Sequence, residues 1–267
     1  KFSLKYFLKN KVIIITGGAG LLGSQFSKIV AEAQGTPVIL DININKSKKI
    51  CDYLNSKYNC ESTYFKCDIT AERQVMKCFK KIVKIYNKKK IFGLINNAAF
   101  NPQPSKKINN GLELFDLRKW NSEIVVGLTG SFICTKIFGT YFSKKKEGSI
   151  INISSDLGIK APKQSLYTHL KYIKPVTYSV VKHGIIGLTK YTCAYWAKNG
   201  VRCNTLAPGG VFNNQDKIFL KKIKSEIPAN RMANVNDFDG IVLYLLSDDS
   251  KYTNGSFISV DGGRGIS

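Results

Sequence analysis

The stretch Lys11-Val-Ile-Ile-Ile-Thr16-Gly17-Gly18-Ala19-Gly20-Leu21-Leu22-Gly23 decides the fold. Its unbroken apolar run, Val12 to Ile15, reads as a short strand buried on both faces. The glycine-rich turn follows at once, and residues 21–33 then carry apolar side chains at helical spacing. A strand, a glycine turn and a helix in that order make a phosphate cradle. Glycines let the backbone turn tightly and approach a pyrophosphate, while the helix N-terminus supplies N–H donors and partial positive charge. Gly17, Gly18, Gly20, Leu21, Leu22 and Gly23 are therefore the expected dinucleotide loop.

The same alternation continues outward from this unit. Further strands are expected at 38–40, 63–67, 92–95, 149–153, 201–205 and 257–260, with amphipathic helices at 72–86, 118–142, 178–197 and 237–246. This order predicts a Rossmann-type α/β fold: a doubly wound parallel sheet of about seven strands between two helical layers. The 267 residues suit one domain, and no composition shift marks a second. Two irregular stretches, 158–177 and 211–231, are long for connections in such a domain and are expected to serve function. Asp41 ends the second strand, 24 residues after Gly17, followed by Ile42. A carboxylate there accepts hydrogen bonds from ribose hydroxyls and repels a 2′-phosphate, which favours NAD over NADP. Asp41 would otherwise be a turn or capping residue, and Lys46, Lys48 and Lys49 nearby leave room for NADP.

Composition narrows the partners. The chain is 43% hydrophobic, enough for a large core. Its formal charge of +23 is mostly Lys spread along the chain, including 88–90, 144–146 and 221–222. A polyanion partner is one reading and a solvated Lys-rich surface the plainer one; nucleic acid is not expected. A positive field would still help to capture an anionic small molecule. The seven cysteines are scattered without a Cys-x-x-Cys pair, and with two histidines they predict reduced, mostly buried thiols and no metal site. No apolar run is expected to cross a membrane. The basic start KFSLKYFLKN lacks the pattern of a cleaved leader, so a cytoplasmic location is expected.

Chemistry enters after the strand at 149–153, which runs into Ser154-Ser155. Further on, Tyr178-Ser-Val-Val-Lys182 opens a helix and places Tyr178 and Lys182 on one face. A free phenol has a pKa of about 10 and is a poor base near neutrality; a neighbouring ammonium favours the phenolate. Ser155 can hold a substrate oxygen while Tyr178 exchanges its proton. A second Tyr-x-x-x-Lys, Tyr167 to Lys171, lies 12 residues after Ser155, against 23 for Tyr178. Pro175 would interrupt a helix begun at Tyr167, so Tyr178 is preferred.

Together these motifs resemble the single-domain branch of the short-chain dehydrogenase/reductase family over essentially the whole chain. The carriers are 16–23, Cys67-Asp68-Ile69-Thr70, Asn96-Asn97-Ala98-Ala99, Ser154-Ser155, Tyr178-x-x-x-Lys182, Asn204 to Gly209 and Val260-Asp261-Gly262-Gly263. The downstream sequence follows Tyr178 in the family's register. The resemblance implies catalytic roles for Ser155, Tyr178 and Lys182. It places Asp68 and Ile69 at the adenine, and Asn97, Ala98 and Ala99 along the cofactor. Lys182 would also meet the nicotinamide ribose, with Pro208, Gly209 and Val211 bordering the nicotinamide. It further implies a homotetramer or homodimer. Three positions depart from the pattern: Leu21 replaces a loop glycine, Ala99 replaces a glycine, and Gly127 stands where the family has an asparagine serving the proton relay.

The insertion 159–177 and the loop from 211 are rich in Lys, Gln, Asn and Tyr, which suits a polar or anionic sugar better than a lipid. Gln164, Tyr167 and Asn213 are the candidate substrate residues, with packing as the alternative for Tyr167. Residues 174–191 and 208–215 resemble a subset of the family encoded with bacterial surface-sugar and flagellin-glycan genes. The expected activity is NAD-linked interconversion of a hydroxyl and a ketone on a sugar or sugar phosphate. The rivals are a 3-oxoacyl-carrier-protein reductase and a cofactor-binding regulator with little turnover.

Overall fold

The computed structural model describes residues 8–100 and 111–266. Most of the basic amino-terminal stretch, residues 1–7, lies outside them. The seven strands are β1 (Lys11–Thr16), β2 (Thr36–Asp41), β3 (Thr63–Lys66), β4 (Lys90–Asn96), β5 (Gly148–Ile153), β6 (Val201–Pro208) and β7 (Phe257–Val260). They form one parallel sheet in the order β3-β2-β1-β4-β5-β6-β7. The chain direction across the sheet reverses between β1 and β4, and ligands in such sheets lie beyond the strand ends at that reversal.

The helices are α1 (Leu21–Glu32), α2 (Ile44–Tyr58), α3 (Glu72–Ile85), α4 (Leu117–Ile124), α5 (Gly130–Lys145), α6 (Val176–Trp196), α7 (Lys217–Ser225) and α8 (Asp239–Leu246). They cover both faces of the sheet, which explains why the strands show continuous apolar runs. Along β1, Val12 and Ile14 join one core with Val75, Phe138 and Phe142. Ile13 and Ile15 join the opposite core with Phe26, Val30 and Val242. β1 is therefore apolar at consecutive positions. None of the seven cysteines is disulfide-bonded, and five are buried.

Two expectations about the helices change. The single helix expected at 118–142 is interrupted between α4 and α5 by a π-helical turn, Val125–Thr129. The turn surrounds Gly127, where a Cβ would stand 2.6 Å from Val181 Cγ1 on α6. The region 211–231, expected to be irregular, contains α7. Asp216 caps it by accepting from the Ile218 and Phe219 amides at 2.9 and 3.0 Å. Its four lysines conceal the stripe of Phe219 and Ile223, which packs with Leu166, Ile227 and Met232. The segment Leu117–Lys145 also has the length and mean hydropathy, 1.4, to cross a membrane, contrary to the expectation of no such run. Half of that apolar window is buried inside the protein, as in a core helix.

Candidate active site

The glycine loop closes on itself at the end of β1. Gly17 has φ +61°, and a Cβ on Gly23 would stand 2.1 Å from the Gly17 carbonyl oxygen, so neither position accommodates a side chain. Asn97 steadies the loop by donating through Nδ2 to the Thr16 and Gly17 carbonyls at 3.1 and 3.0 Å. Thr16 Oγ1 in turn accepts from the Asn97 and Ala98 amides. Gly20 caps α1 without a side-chain acceptor, leaving the first-turn N–H groups to an outside anion. This cradle fits a dinucleotide pyrophosphate. Gly18, Leu21 and Leu22 complete the loop, with the Leu21 side chain exposed.

Asp41 stands at the β2 end beside the loop. Its carboxylate accepts from the Ala19 amide at 2.9 Å and from the Asn43 amide at 2.8 Å. A carboxylate has about four acceptor positions, so two remain for ribose hydroxyls. Ile42 is exposed next to it. At the β3 end, Asp68 is turned toward Thr70, accepting from its amide and hydroxyl at 2.9 and 2.7 Å, and Ile69 is buried. Ala98 and Ala99 follow β4. Beyond β6, the Gly209 amide donates to Val260 at 2.9 Å, and Val211 bridges to Ala233. The candidate cofactor residues thus line the carboxyl end of the sheet on both sides of the β1/β4 reversal.

The candidate catalytic residues meet at the same edge. Ser155 follows β5 and is buried; its Oγ donates to Asp156 Oδ1 at 2.8 Å, accepts from the Leu157 amide at 3.2 Å and lies close to the Tyr178 hydroxyl. Lys182 Nζ donates to the Ile153 carbonyl at 2.9 Å and lies 5.8 Å from the Tyr178 ring centre. Burial, then repulsion from Lys174, lowers the Lys182 pKa to about 8. Burial raises the Tyr178 phenol above its usual range; the Ser155 hydroxyl opposes this, Asp156 adds to it, and Arg264 opposes it. The competing Tyr167-to-Lys171 segment is not a helix. It is made of short 3₁₀ turns ending with Lys171 at φ +47°.

The candidate substrate residues have other contacts. Gln164 is joined twice to the Lys174 backbone, at 3.2 and 2.9 Å, and so ties the insertion together. Tyr167 packs 5.6 Å from Tyr172 and 5.4 Å from Phe219 between ring centres, near enough to Tyr178 to interact electrostatically. Asn213 is exposed in the loop before α7. The two variable segments dock on each other through His169 with Asp216 at 2.8 Å and Lys163 with Glu226 at 2.7 Å.

Several side-chain contacts at this edge carry no signal in the sequence. Asp156, beside Ser155, forms a buried ion pair with Arg264 from the carboxyl-terminal tail. Asn96 donates to Thr135 at 2.9 Å and to Asn152 at 2.7 Å. Asn152 donates to Thr189 at 2.9 Å, and Thr205 donates to Thr189 at 2.8 Å. This buried ladder joins β4, β5 and β6 to α5 and α6, which fixes the helix of Tyr178 against the strand of Ser155. Aligned strand registers would have located Asn152 beside Asn96, but the helical partners required the packed structure.

Comparison with known proteins gives a consistent picture. The family model described as enoyl-(acyl carrier protein) reductase matches residues 20–264. The post-translational flagellin modification protein A of Campylobacter coli is 29% identical over 261 residues, covering 97% of this chain and 100% of that protein. A short-chain dehydrogenase from Leptospira borgpetersenii, solved with NAD+, superposes with a TM-score of 0.84 at 26% identity, covering 100% and 97% of the two chains. A gluconate 5-dehydrogenase from Burkholderia cenocepacia, solved with NADP and tartrate, superposes with a TM-score of 0.87 over 98% of each chain; at 24% identity it speaks to the fold alone.

Proposed function

Because this chain belongs to the short-chain dehydrogenase/reductase family, an oxidoreductase family acting on CH–OH groups, we propose that it interconverts a hydroxyl and a ketone on a sugar-like substrate with NAD. The convergence of Ser155, Tyr178 and Lys182 beside the glycine cradle carries this reading. Bound nicotinamide supplies the acceptor or donor of the hydride at the substrate carbon. Ser155 orients the substrate oxygen by hydrogen bonding, and Tyr178 takes the hydroxyl proton on oxidation or returns it on reduction. Lys182, held by the Ile153 carbonyl, adds positive charge near the phenol. Asp41 supports NAD, because a 2′-phosphate would meet its carboxylate.

The polar insertion and the likeness to a flagellin-modification protein support a glycan precursor as substrate. A 27% likeness to a 3-oxoacyl-[acyl-carrier-protein] reductase of Aquifex aeolicus supports a second reading, a carrier-bound 3-oxoacyl substrate. Turnover separates them: a panel of polyols, sugar acids and sugar phosphates with NAD+ should include a substrate, whereas acetoacetyl thioesters with NADPH should react poorly. The opposite ranking would favour the acyl-carrier reading. Exposed Phe132 on α5 and Tyr191 and Tyr195 on α6 support a homo-oligomer.

A further inference from the structure

A small cavity beside the catalytic tyrosine is bordered by Gly127, and its surroundings are unusual in charge. A cavity of about 10 Å³, near the size of one water, lies against Tyr178 and Lys182 and is bordered by Gly127, Glu123 and Thr177. Glu123 is buried, with one carboxylate oxygen accepting from the Thr177 hydroxyl. Its other oxygen, Oε1, has no hydrogen-bond partner among the described residues. A buried carboxylate is costly without a nearby positive charge. Lys174 supplies that charge. It lies near the end of the insertion, and its Nζ is 3.8 Å from the centre of the Tyr178 ring, nearer than Lys182 at 5.8 Å.

We propose that Lys174 is a second cation tuning Tyr178 and that Glu123 is the buried counter-charge positioning it; this rests on the assignment of Tyr178 as proton-transfer residue. The geometry is that of an ammonium over an aromatic face, an attraction that strengthens when the phenol becomes phenolate. Burial lowers Lys174 to about 8, while the carboxylates of Asp156 and Glu123 oppose the loss of its proton. Asp156, and after it Glu123, therefore favour the charged ammonium, whose charge acts on the phenol. The groups facing Tyr178 are Lys182 on its own helix, Ser155 and Asp156 after β5, and Arg264 from the tail. Lys174, Tyr167 and Tyr172 face it from the insertion, and Glu123 on α4 faces Lys174. Lys174 and Lys182 repel each other, and the carboxylates of Asp156 and Glu123 offset part of that repulsion at Lys174.

The test is an ultraviolet titration of tyrosinate, with the Tyr178→Phe spectrum subtracted so that Tyr178 alone is followed. Lys174→Met should raise the pH of tyrosinate formation at Tyr178 by about one unit, the size of one close opposite charge. Lys174→Arg should restore it, and Glu123→Gln should shift it in the same direction as Lys174→Met. The kcat profile of any reacting substrate should move to alkaline pH in parallel, with cofactor affinity unchanged. An unchanged Tyr178 titration in folded Lys174→Met protein would overturn the proposal. Full activity in Tyr178→Phe would instead overturn the underlying assignment, while the titration would still report on Lys174.

Discussion

At the scale of single residues, Asp41 and Lys174 show opposite degrees of legibility. Asp41 stands at the end of an apolar run at a set distance from a glycine turn, so its position beside the cradle followed from sequence spacing. The structure adds that two of its acceptor positions already hold the Ala19 and Asn43 amides, which fixes the carboxylate before any ligand arrives. A fixed carboxylate discriminates strongly. NADH should therefore bind more tightly than NADPH, and Asp41→Ala should weaken NADH by about tenfold, the size expected for a charge-assisted hydrogen bond. Fluorescence titration with both cofactors checks this; tighter NADPH binding by the wild type would contradict it. Lys174, by contrast, lies in a lysine-rich insertion where nothing local separates it from Lys163 or Lys171. Only the folding back of the insertion, tied by Gln164, brings it over Tyr178.

At the scale of elements, long apolar strands were readable and helix interruptions were not. A strand with neighbours on both faces leaves a continuous apolar run, whereas the π turn at Val125–Thr129 depends on what α6 presents to Gly127. Val181 is β-branched, stiff at χ1 in a helix, and buried. Gly127→Ala should therefore destabilise the protein by about 1–3 kcal/mol, through overpacking. Val181→Ala placed with it should recover part of the loss, and a double-mutant cycle from urea unfolding measures that coupling. Additive effects would show that Gly127 serves something other than the contact of the π turn with α6. Gly127→Asn meets the same obstacle, so the glycine has a packing reason of its own. The helix α7 escaped the reading because its lysines diluted a short apolar stripe that finds its partner in the other variable segment.

Across the whole molecule, the sheet brings together two functions read at distant points in the chain. The phosphate cradle follows β1 and the proton-transfer residues follow β5 and open α6, yet the strand order places all of them along one edge. The Asn96–Asn152–Thr189–Thr205 ladder ties those strands to α6 below the site. On the proposed assignment, cofactor binding and proton transfer therefore occupy neighbouring but separable parts of one structure. The measurement that tests this most directly compares Tyr178→Phe with wild type, both for NADH affinity and for turnover of the best sugar or polyol substrate. NADH affinity should stay within about twofold while kcat falls by roughly 10²–10⁴-fold, the range for loss of a positioned acid/base. A variant that turns over at the wild-type rate would contradict the account.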